Sequence, residues 1–353
     1  MTYLAKPRLH HPTLQQNKIG FTRRDYEGKV STLCAGCGHD SISAALIQAF
    51  WELDILPHRV AKLSGIGCSS KAPAYFLSTA HGFNAVHGRM PSVATGAILA
   101  NKNLLAIGVS GDGDTVSIGI GQFVHTMRRN LPMIYIIEDN GVYGLTKGQF
   151  SATAEEGLTL KSQGRNLFKP VDICLEALAS GATFIARSFA GDAKQVKDLI
   201  KAAISHKGIA ILDIISPCVT FNDGPDAHHS YAWSKEHETP IHDITYVPLR
   251  DEIILDNGFE EGTYKDVTLH DGSVVRLKKL ERDYDPTHRR AAFRVLEEGE
   301  ENNVLLTGLI YIETGRPSLT DTYHLTDEAL NRLPPSRIRP SRESLDRFND
   351  LMF

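Results

Sequence analysis

The sequence has no apolar run near the ~18–20 residues that cross a bilayer, so no membrane span is expected. Its first residues, Met1 to Lys18, lack the apolar core of a secretory signal, which points to a cytoplasmic protein. Cysteine is scarce: five in 353 residues cannot staple a disulfide scaffold. Clustered thiols in such a chain point instead to metal or redox chemistry. Excess charge is missing too. Lysine and arginine number 38 against 42 acids, a net charge of −4, so there is no bulk basicity for nucleic acid. What is present is the material for a core, with 42% hydrophobic and 23% charged residues, as in a globular protein.

Three segments are expected. Residues 1–30 read as an N-terminal arm, with Lys6, Arg8, Lys18, Arg23, Arg24 and Lys29 against two acids. Residues 31–220 read as α/β, because strand-like and helix-like patterns alternate. Leu104 to Val109 is a continuous apolar strand of the kind a parallel sheet buries on both faces, Met133 to Ile137 reads as another buried strand, and Ile209 to Ile215 as a further strand. Helices near 92–101, 115–129, 171–180 and 193–206 separate strands near 60–63, 85–86 and 183–187. That alternation predicts a doubly wound, mostly parallel sheet. Residues 221–353 lose the alternation and read as an irregular C-terminal extension packing on the core or on a partner. Within it, Val267 to His270, Asp271-Gly272 and Val274-Val275 predict a hairpin.

Cys34-Ala35-Gly36-Cys37 is a C-x2-C pair, and Cys68 and Cys218 each follow a predicted strand. Thiolates at this spacing select zinc or an iron–sulfur cluster. The distribution, one pair and two single cysteines, favours the cluster over a zinc ribbon with two knuckles. Glycines 36, 38, 65 and 67 would let backbone N–H groups approach the sulfurs. Cys174, on an apolar helix, reads as core.

A second constellation lies at the ends of two strands. Leu104–Val109 runs into Ser110-Gly111-Asp112-Gly113-Asp114, and Asn140 follows Asp112 by twenty-eight positions. A strand, its crossover helix and the next strand use about that length. Asp112 and Asn140 therefore emerge together at the carboxyl edge of a parallel sheet, where open α/β sheets bind ligands. A carboxylate, an amide oxygen and a loop carbonyl, joined by phosphate oxygens, form an octahedral magnesium site.

Gly111-Asp112-Gly113 with Asn140 resembles the thiamine-diphosphate motif. Together with Cys34-Ala35-Gly36-Cys37-Gly38-His39, Gly65-Ile66-Gly67-Cys68-Ser69, His87-Gly88-Arg89 and Asp139 to Gln149, it resembles the β subunit of 2-oxoacid:ferredoxin oxidoreductases over residues 30–220. Tyr143 to Gln149 resembles the 2-oxoglutarate-type members. The resemblance implies a thiamine-diphosphate-binding domain with one 4Fe-4S cluster on Cys34, Cys37, Cys68 and Cys218. It implies magnesium on Asp112, Asn140 and the Val142 carbonyl. Ile66, Gly67, Cys68, Ser69 and His87 would line the cofactor, with Gly113, Gly144 and Leu145 at the diphosphate, and Lys147 would pair with the substrate carboxylate. Cys-Ala-Gly-Cys departs from the family's C-P-G-C, which changes turn stiffness and leaves the ligands intact. The activity implied is coenzyme A-dependent oxidative decarboxylation of a 2-oxoacid, 2-oxoglutarate first, with electrons passed to ferredoxin. Pyruvate or another 2-oxoacid, a cluster-free thiamine diphosphate decarboxylase or synthase, and a zinc-binding scaffold stand as alternatives. Thiamine enzymes clasp the cofactor between two doubly wound domains and only one fits here. A larger α subunit is therefore expected, in an (αβ)2 assembly. Arg89 stands open between an anion contact and a solvated role. His228 and His229 with Asp223 and Asp226 only superficially resemble a metal site, since adjacent histidines point apart, and His10-His11 reads as an unstructured pair.

Overall fold

The computed structural model describes residues 13–224, 227–249, 264–279 and 284–352. Lys6, Arg8, His10, His11 and Asp226 lie outside these residues. Strands β1 (Val60–Ser64), β2 (His81–Asn84), β3 (Leu105–Gly111), β4 (Met133–Asp139), β5 (Phe184–Phe189) and β6 (Ile209–Ile215) are parallel neighbours in one sheet, in the order β5-β6-β4-β3-β1-β2. β4 and β6 are buried along their whole length, in keeping with runs that are apolar apart from Glu138 and Asp139 at the end of β4 and Asp213 within β6. Helices α1 (Gly38–Glu52) and α5 (Ala193–Ser205) cover one face, α2 (Met90–Ala100), α3 (Ile120–Arg128) and α4 (Ile173–Ser180) the other. Phe50, Leu199, Ile136 and Leu212 share the first core; Met90, Phe123, Tyr135 and Leu178 share the second. The helix starts are capped locally: Asp172 accepts from the Leu175 N–H at 2.8 Å, and Asp192 from the Gln195 N–H at 3.0 Å.

Strand register is what assembles the site. Gly111 pairs with Glu138, Ser64 with Val109, and Ile215 with Asp139. The carboxyl ends of β1, β3, β4 and β6 thus lie side by side. The segments leaving them carry Cys68, Asp112, Asn140 and Cys218.

Two elements differ from their expected positions. β2 occupies His81–Asn84, upstream of Ala85-Val86, with its side chains exposed at a sheet edge. The crossover after β3 begins with a wide π turn, Gly113–Ser117, and only then continues as α3. Beyond residue 220 the chain is more regular than the sequence suggests. After α6 (Tyr231–His237) come β7 (Glu238–Pro240) and an antiparallel sheet of β8 (His242–Val247), β9 (Tyr264–Thr268) and β10 (Val274–Lys279). The β9–β10 hairpin closes through a longer loop, with Leu269 N–H donating to Ser273 O at 2.8 Å and Gly272 at φ +81°. Helix α7 (Arg289–Glu301) then packs on α4, its acidic Glu297–Glu301 end facing out. β11 (Leu305–Ile312) is buried throughout and pairs antiparallel with β5, and β7 pairs with β11. Its Leu-Leu-Thr-Gly-Leu-Ile-Tyr-Ile run is, like β4, predominantly apolar.

Candidate cofactor and metal site

One narrow cavity at the sheet's carboxyl edge is lined by Ile66, Gly67, Cys68, Ser69, His87, Asp112, Gly113, Asn140, Val142, Tyr143, Gly144 and Leu145. Its enclosed volume is about 40 Å³, too small for a whole cofactor, so this chain supplies one wall. A wider cavity of about 810 Å³ lies on the α4 side, holds none of the residues expected to bind cofactor or metal, and meets this region at Asp139, Thr153 and His229. The chemistry follows the donors rather than the volume.

Asp112 is almost wholly buried, and its Oδ2 accepts from the Thr153 hydroxyl at 2.8 Å. The same hydroxyl stands 2.7 Å from Asp139 Oδ1. A hydroxyl has one proton to give, so both contacts hold together only when one carboxyl is protonated. Burial, reinforced by Asp139, pushes Asp112 up to about 7, which identifies it as that group when no cation is bound. Burial also works to raise Asp139, but the His229 ring, with Nε2 3.2 Å from Asp139 Oδ1, holds it below the usual carboxylate range.

Asn140 leaves β4 with its Oδ1 accepting from the Val142 N–H at 3.1 Å and its Nδ2 3.4 Å from His39 Nε2. Val142 and Tyr143 form a short hairpin with Gln149 and Phe150, which carries the Val142 carbonyl into the same corner. Tyr143 Oη donates to Gly113 O at 2.8 Å, and a Cβ at Gly113 would stand 2.5 Å from the tyrosine ring. Asp114 is already committed: Ser110 Oγ donates to its Oδ2 at 2.6 Å and the Gly88 N–H to its Oδ1 at 2.8 Å. It ties the loop after β2 to the end of β3.

The four cysteines gather beside this corner. Cys218 lies within electrostatic reach of Cys34, Cys37 and Cys68. Gly144 shows two of the sulfurs converging, since a Cβ there would stand 3.4 Å from Cys68 Sγ and 3.7 Å from Cys218 Sγ. Gly38 lets the start of α1 press against the Cys218 turn; a Cβ would stand 2.7 Å from Ser216 Cβ and 2.9 Å from Pro217 Cδ. Lys62 Nζ donates to Pro73 O and Phe76 O, both at 2.6 Å, pinning the 3-10 turn Ser69–Ala74 that follows Cys68. Burial pushes the Cys37 thiol up to about 12 and raises Cys68 and Cys218. The nearby backbone N–H groups of Thr220, Phe221 and Asn222 oppose that rise, and those of Phe221 and Asn222 donate to Cys218 O at 3.1 and 2.8 Å. Among the described residues, no three His, Cys, Asp or Glu side chains already stand at ligand spacing around one point. The donor types still fit their groups: soft sulfurs beside a glycine that leaves room for them, and hard oxygens beside backbone open to a diphosphate.

His87 is exposed on the cavity rim, after the β2 edge. Lys147 is exposed just outside the lining, its backbone in the left-handed region at φ +78° and its N–H donating to Gly144 O at 3.1 Å. Arg89 donates to Gly88 O at 3.2 Å. Cys174 is fully buried in core. His228 stacks on Trp233 while His229 turns inward to Asp139 and Glu155. Sequence reasoning gave no role to His39, Glu138, Asp114, Thr153 or His229. His39 and Asp114 were adjacent to motifs already in view. Thr153 and His229 reach the site from distant loops and leave no local signal.

Residues 65–214 match the family described as thiamine pyrophosphate enzyme, C-terminal TPP binding domain, and residues 271–328 match the C-terminal family of the pyruvate ferredoxin oxidoreductase beta subunit. The 2-oxoacid:ferredoxin oxidoreductase subunit beta of Saccharolobus solfataricus is 45% identical over 54% of this chain and 63% of its own length. The 2-oxoglutarate synthase subunit KorB of Methanocaldococcus jannaschii is 35% identical over 53% of this chain and 69% of its own. The match thus spans less than two thirds of the Saccharolobus relative. A solved 2-oxoglutarate:ferredoxin oxidoreductase from Magnetococcus marinus, with 2-oxoglutarate, coenzyme A and succinyl-CoA bound, superposes with a TM-score of 0.71 at 29% identity over 93% of this chain and 97% of that one. With the paired strand-end motif and the gathered cysteines, these similarities place the chain in a family: it belongs to the β subunits of the 2-oxoacid:ferredoxin oxidoreductases.

Proposed function

We propose that this chain works with an α subunit as a coenzyme A-dependent 2-oxoacid:ferredoxin oxidoreductase of the cytoplasm, taking 2-oxoglutarate to succinyl-CoA and back. The observation that carries the reading is the juxtaposition of Asp112, Asn140 and the Val142 carbonyl with Cys68 and Cys218 around Gly144. Asp112, Asn140 and Val142 O would hold magnesium, and Cys34, Cys37, Cys68 and Cys218 a 4Fe-4S cluster. Bound thiamine diphosphate would supply the nucleophilic carbon for decarboxylating a 2-oxoacid, and the cluster a one-electron outlet toward ferredoxin.

The chain's own residues set the conditions. Gly113, at the start of the π turn, brings bare backbone to the diphosphate, and the helical N–H groups behind it favour an anion. Ile66, Gly67, Cys68 and Ser69 line the cavity and would contact the cofactor, with His87 at its rim. Gly144 and Leu145, which line the same cavity, would lie at the diphosphate. Lys147, held next to that cavity by its strained backbone, offers a cation to a substrate carboxylate. Support for 2-oxoglutarate in particular comes from the relatives named for it and from the bound ligands of the Magnetococcus structure.

The test is an oxygen-free preparation of the chain with its α partner, analysed for thiamine diphosphate, magnesium, iron and acid-labile sulfide. The preparation is then assayed with a panel of 2-oxoacids, coenzyme A and a one-electron dye. Reduction of the dye with 2-oxoglutarate in preference to pyruvate is expected. A preparation rich in zinc, without iron or thiamine diphosphate, would replace this reading with a scaffold role.

A further inference from the structure

His39 follows Cys37 on the first turn of α1 and is fully buried. Its ring meets the Cys68 turn, the end of β4 and the Cys218 turn. Nδ1 stands 2.9 Å from Ser216 Oγ, two residues before Cys218. Nε2 stands 3.3 Å from Ser69 Oγ, beside Cys68, and 3.4 Å from Asn140 Nδ2. Glu138 Oε2 is 3.5 Å from Nδ1.

These contacts determine which nitrogen carries the proton. The Val142 N–H donates to Asn140 Oδ1, so the amide nitrogen, which only donates, is the end that faces His39. Nε2 must then accept, from Asn140 and from the Ser69 hydroxyl. The proton sits on Nδ1 and is donated to Ser216 Oγ. With the other tautomer, two N–H groups would point at each other across the Nε2–Asn140 contact, and the amide would have to turn over.

Resting on the magnesium reading above, we propose that His39 is a positioning residue that fixes the amide of Asn140 with its oxygen, not its nitrogen, toward the cation. A turned-over amide would offer the cation N–H groups and no lone pair. The oxygen end is held only by a local bond two residues along. The nitrogen end is held by a ring that α1 and the Cys68 and Cys218 turns clamp in place. His39 thereby makes the metal-binding end of β4 depend on the packing of the cysteine loops.

The experiment uses the oxygen-free complex with its α partner, depleted of thiamine diphosphate and magnesium by chelation. Magnesium-dependent binding of thiamine diphosphate is then measured by calorimetry, with iron and sulfide per chain on the same samples. H39N is shorter, keeps a donor toward Ser216 and loses the acceptor toward Asn140. It is expected to weaken magnesium binding about 10–100-fold, as loss of a partner behind a metal ligand does, while iron stays at the wild-type level. H39Q returns an acceptor to the Nε2 position and restores most of the affinity. In an N140D background both ends of the side chain are oxygens, so H39N costs nothing further. S216A releases the Nδ1 partner and gives a smaller loss of the same kind, again absent with N140D; it serves as the second variant if H39N does not fold. Unchanged magnesium affinity in folded H39N and S216A, or an equal loss with and without N140D, would overturn the assignment. If the wild-type complex itself takes up no thiamine diphosphate with magnesium, the site reading fails first, a result distinct from either.

Discussion

At Gly113 a backbone and an aromatic ring compete for one space. A methyl group there would stand 2.5 Å from Tyr143 Cε1, and the ring cannot swing away without giving up its hydrogen bond to Gly113 O. Overpacking of this kind costs about 1–3 kcal/mol, so G113A is expected to weaken thiamine diphosphate binding about 5–150-fold. Calorimetry measures it, and Y143L in the same chain should recover part of the loss by opening the space. A second residue-scale expectation concerns acid. Burial lowers His206 to about 3 and His242 to about 4, and His242 Nε2 accepts the Leu309 N–H at 3.0 Å, which requires it neutral. Both folded values lie below the ~6.5 of an unfolded histidine. The unfolded chain therefore binds protons first, and the stability these residues contribute is complete above pH 6.5 and lost as pH falls toward 4. For His242 alone the loss is about 3 kcal/mol over that window. Urea unfolding of wild type and H242Q at pH 7.5, 6, 5 and 4.5 should show a shallower pH slope in the variant; parallel slopes would rule out His242 as the source.

Among the elements, β11 and the last helix, Arg342–Met352, give opposite expectations. β11 is buried along its length and closes the flank of β5. A chain stopped after Asn303 would expose β5 as a long apolar edge, and such edges template aggregation, so insoluble protein is expected. The last helix has no buried residue, and Leu345, Phe348 and Met352 stand exposed on it. A chain stopped after Glu328 should keep its melting temperature within the small range of surface changes, about 0.5 kcal/mol in stability. Light scattering and thermal melts of the two truncations check both. The contrast also marks how far the sequence could be read. β3, β4 and β6 were legible because a strand buried on both faces is a predominantly apolar run bounded by turn residues. β11 has the same signature but follows a stretch without alternation, so its pairing with β5, more than a hundred residues earlier, left no local trace. Asp112 and Asn140 were legible because a crossover has a near-fixed length. Thr153, which bridges Asp112 and Asp139, was not, because only tertiary packing brings its loop back across the strand ends.

For the whole molecule, what matters is one-sidedness. The described residues form one doubly wound sheet, and exposed apolar side chains stand among the polar ones around the cavity at its carboxyl edge. Val86 is 70% exposed, Ile118 52% and Leu145 47%, flanking His87, the π turn and the hairpin after Asn140. Leu167 and Phe168, at 75% and 79%, extend the set beside a recess that also includes Ser117. Scattered exposed apolar residues are ordinary, but several placed around one site fit an interface. The α subunit is expected to cover them and to supply the missing wall. Alone, the chain should bind thiamine diphosphate weakly, turn over no 2-oxoacid and bind an apolar dye; adding the α subunit should reverse all three. Hydrogen exchange locates the contact: amides in 85–90, 117–119, 143–148 and 166–168 should slow on assembly, while those of the last helix serve as an internal comparison. If the rim exchanges equally fast with and without the α subunit, these residues are not the interface and the second wall must come from elsewhere.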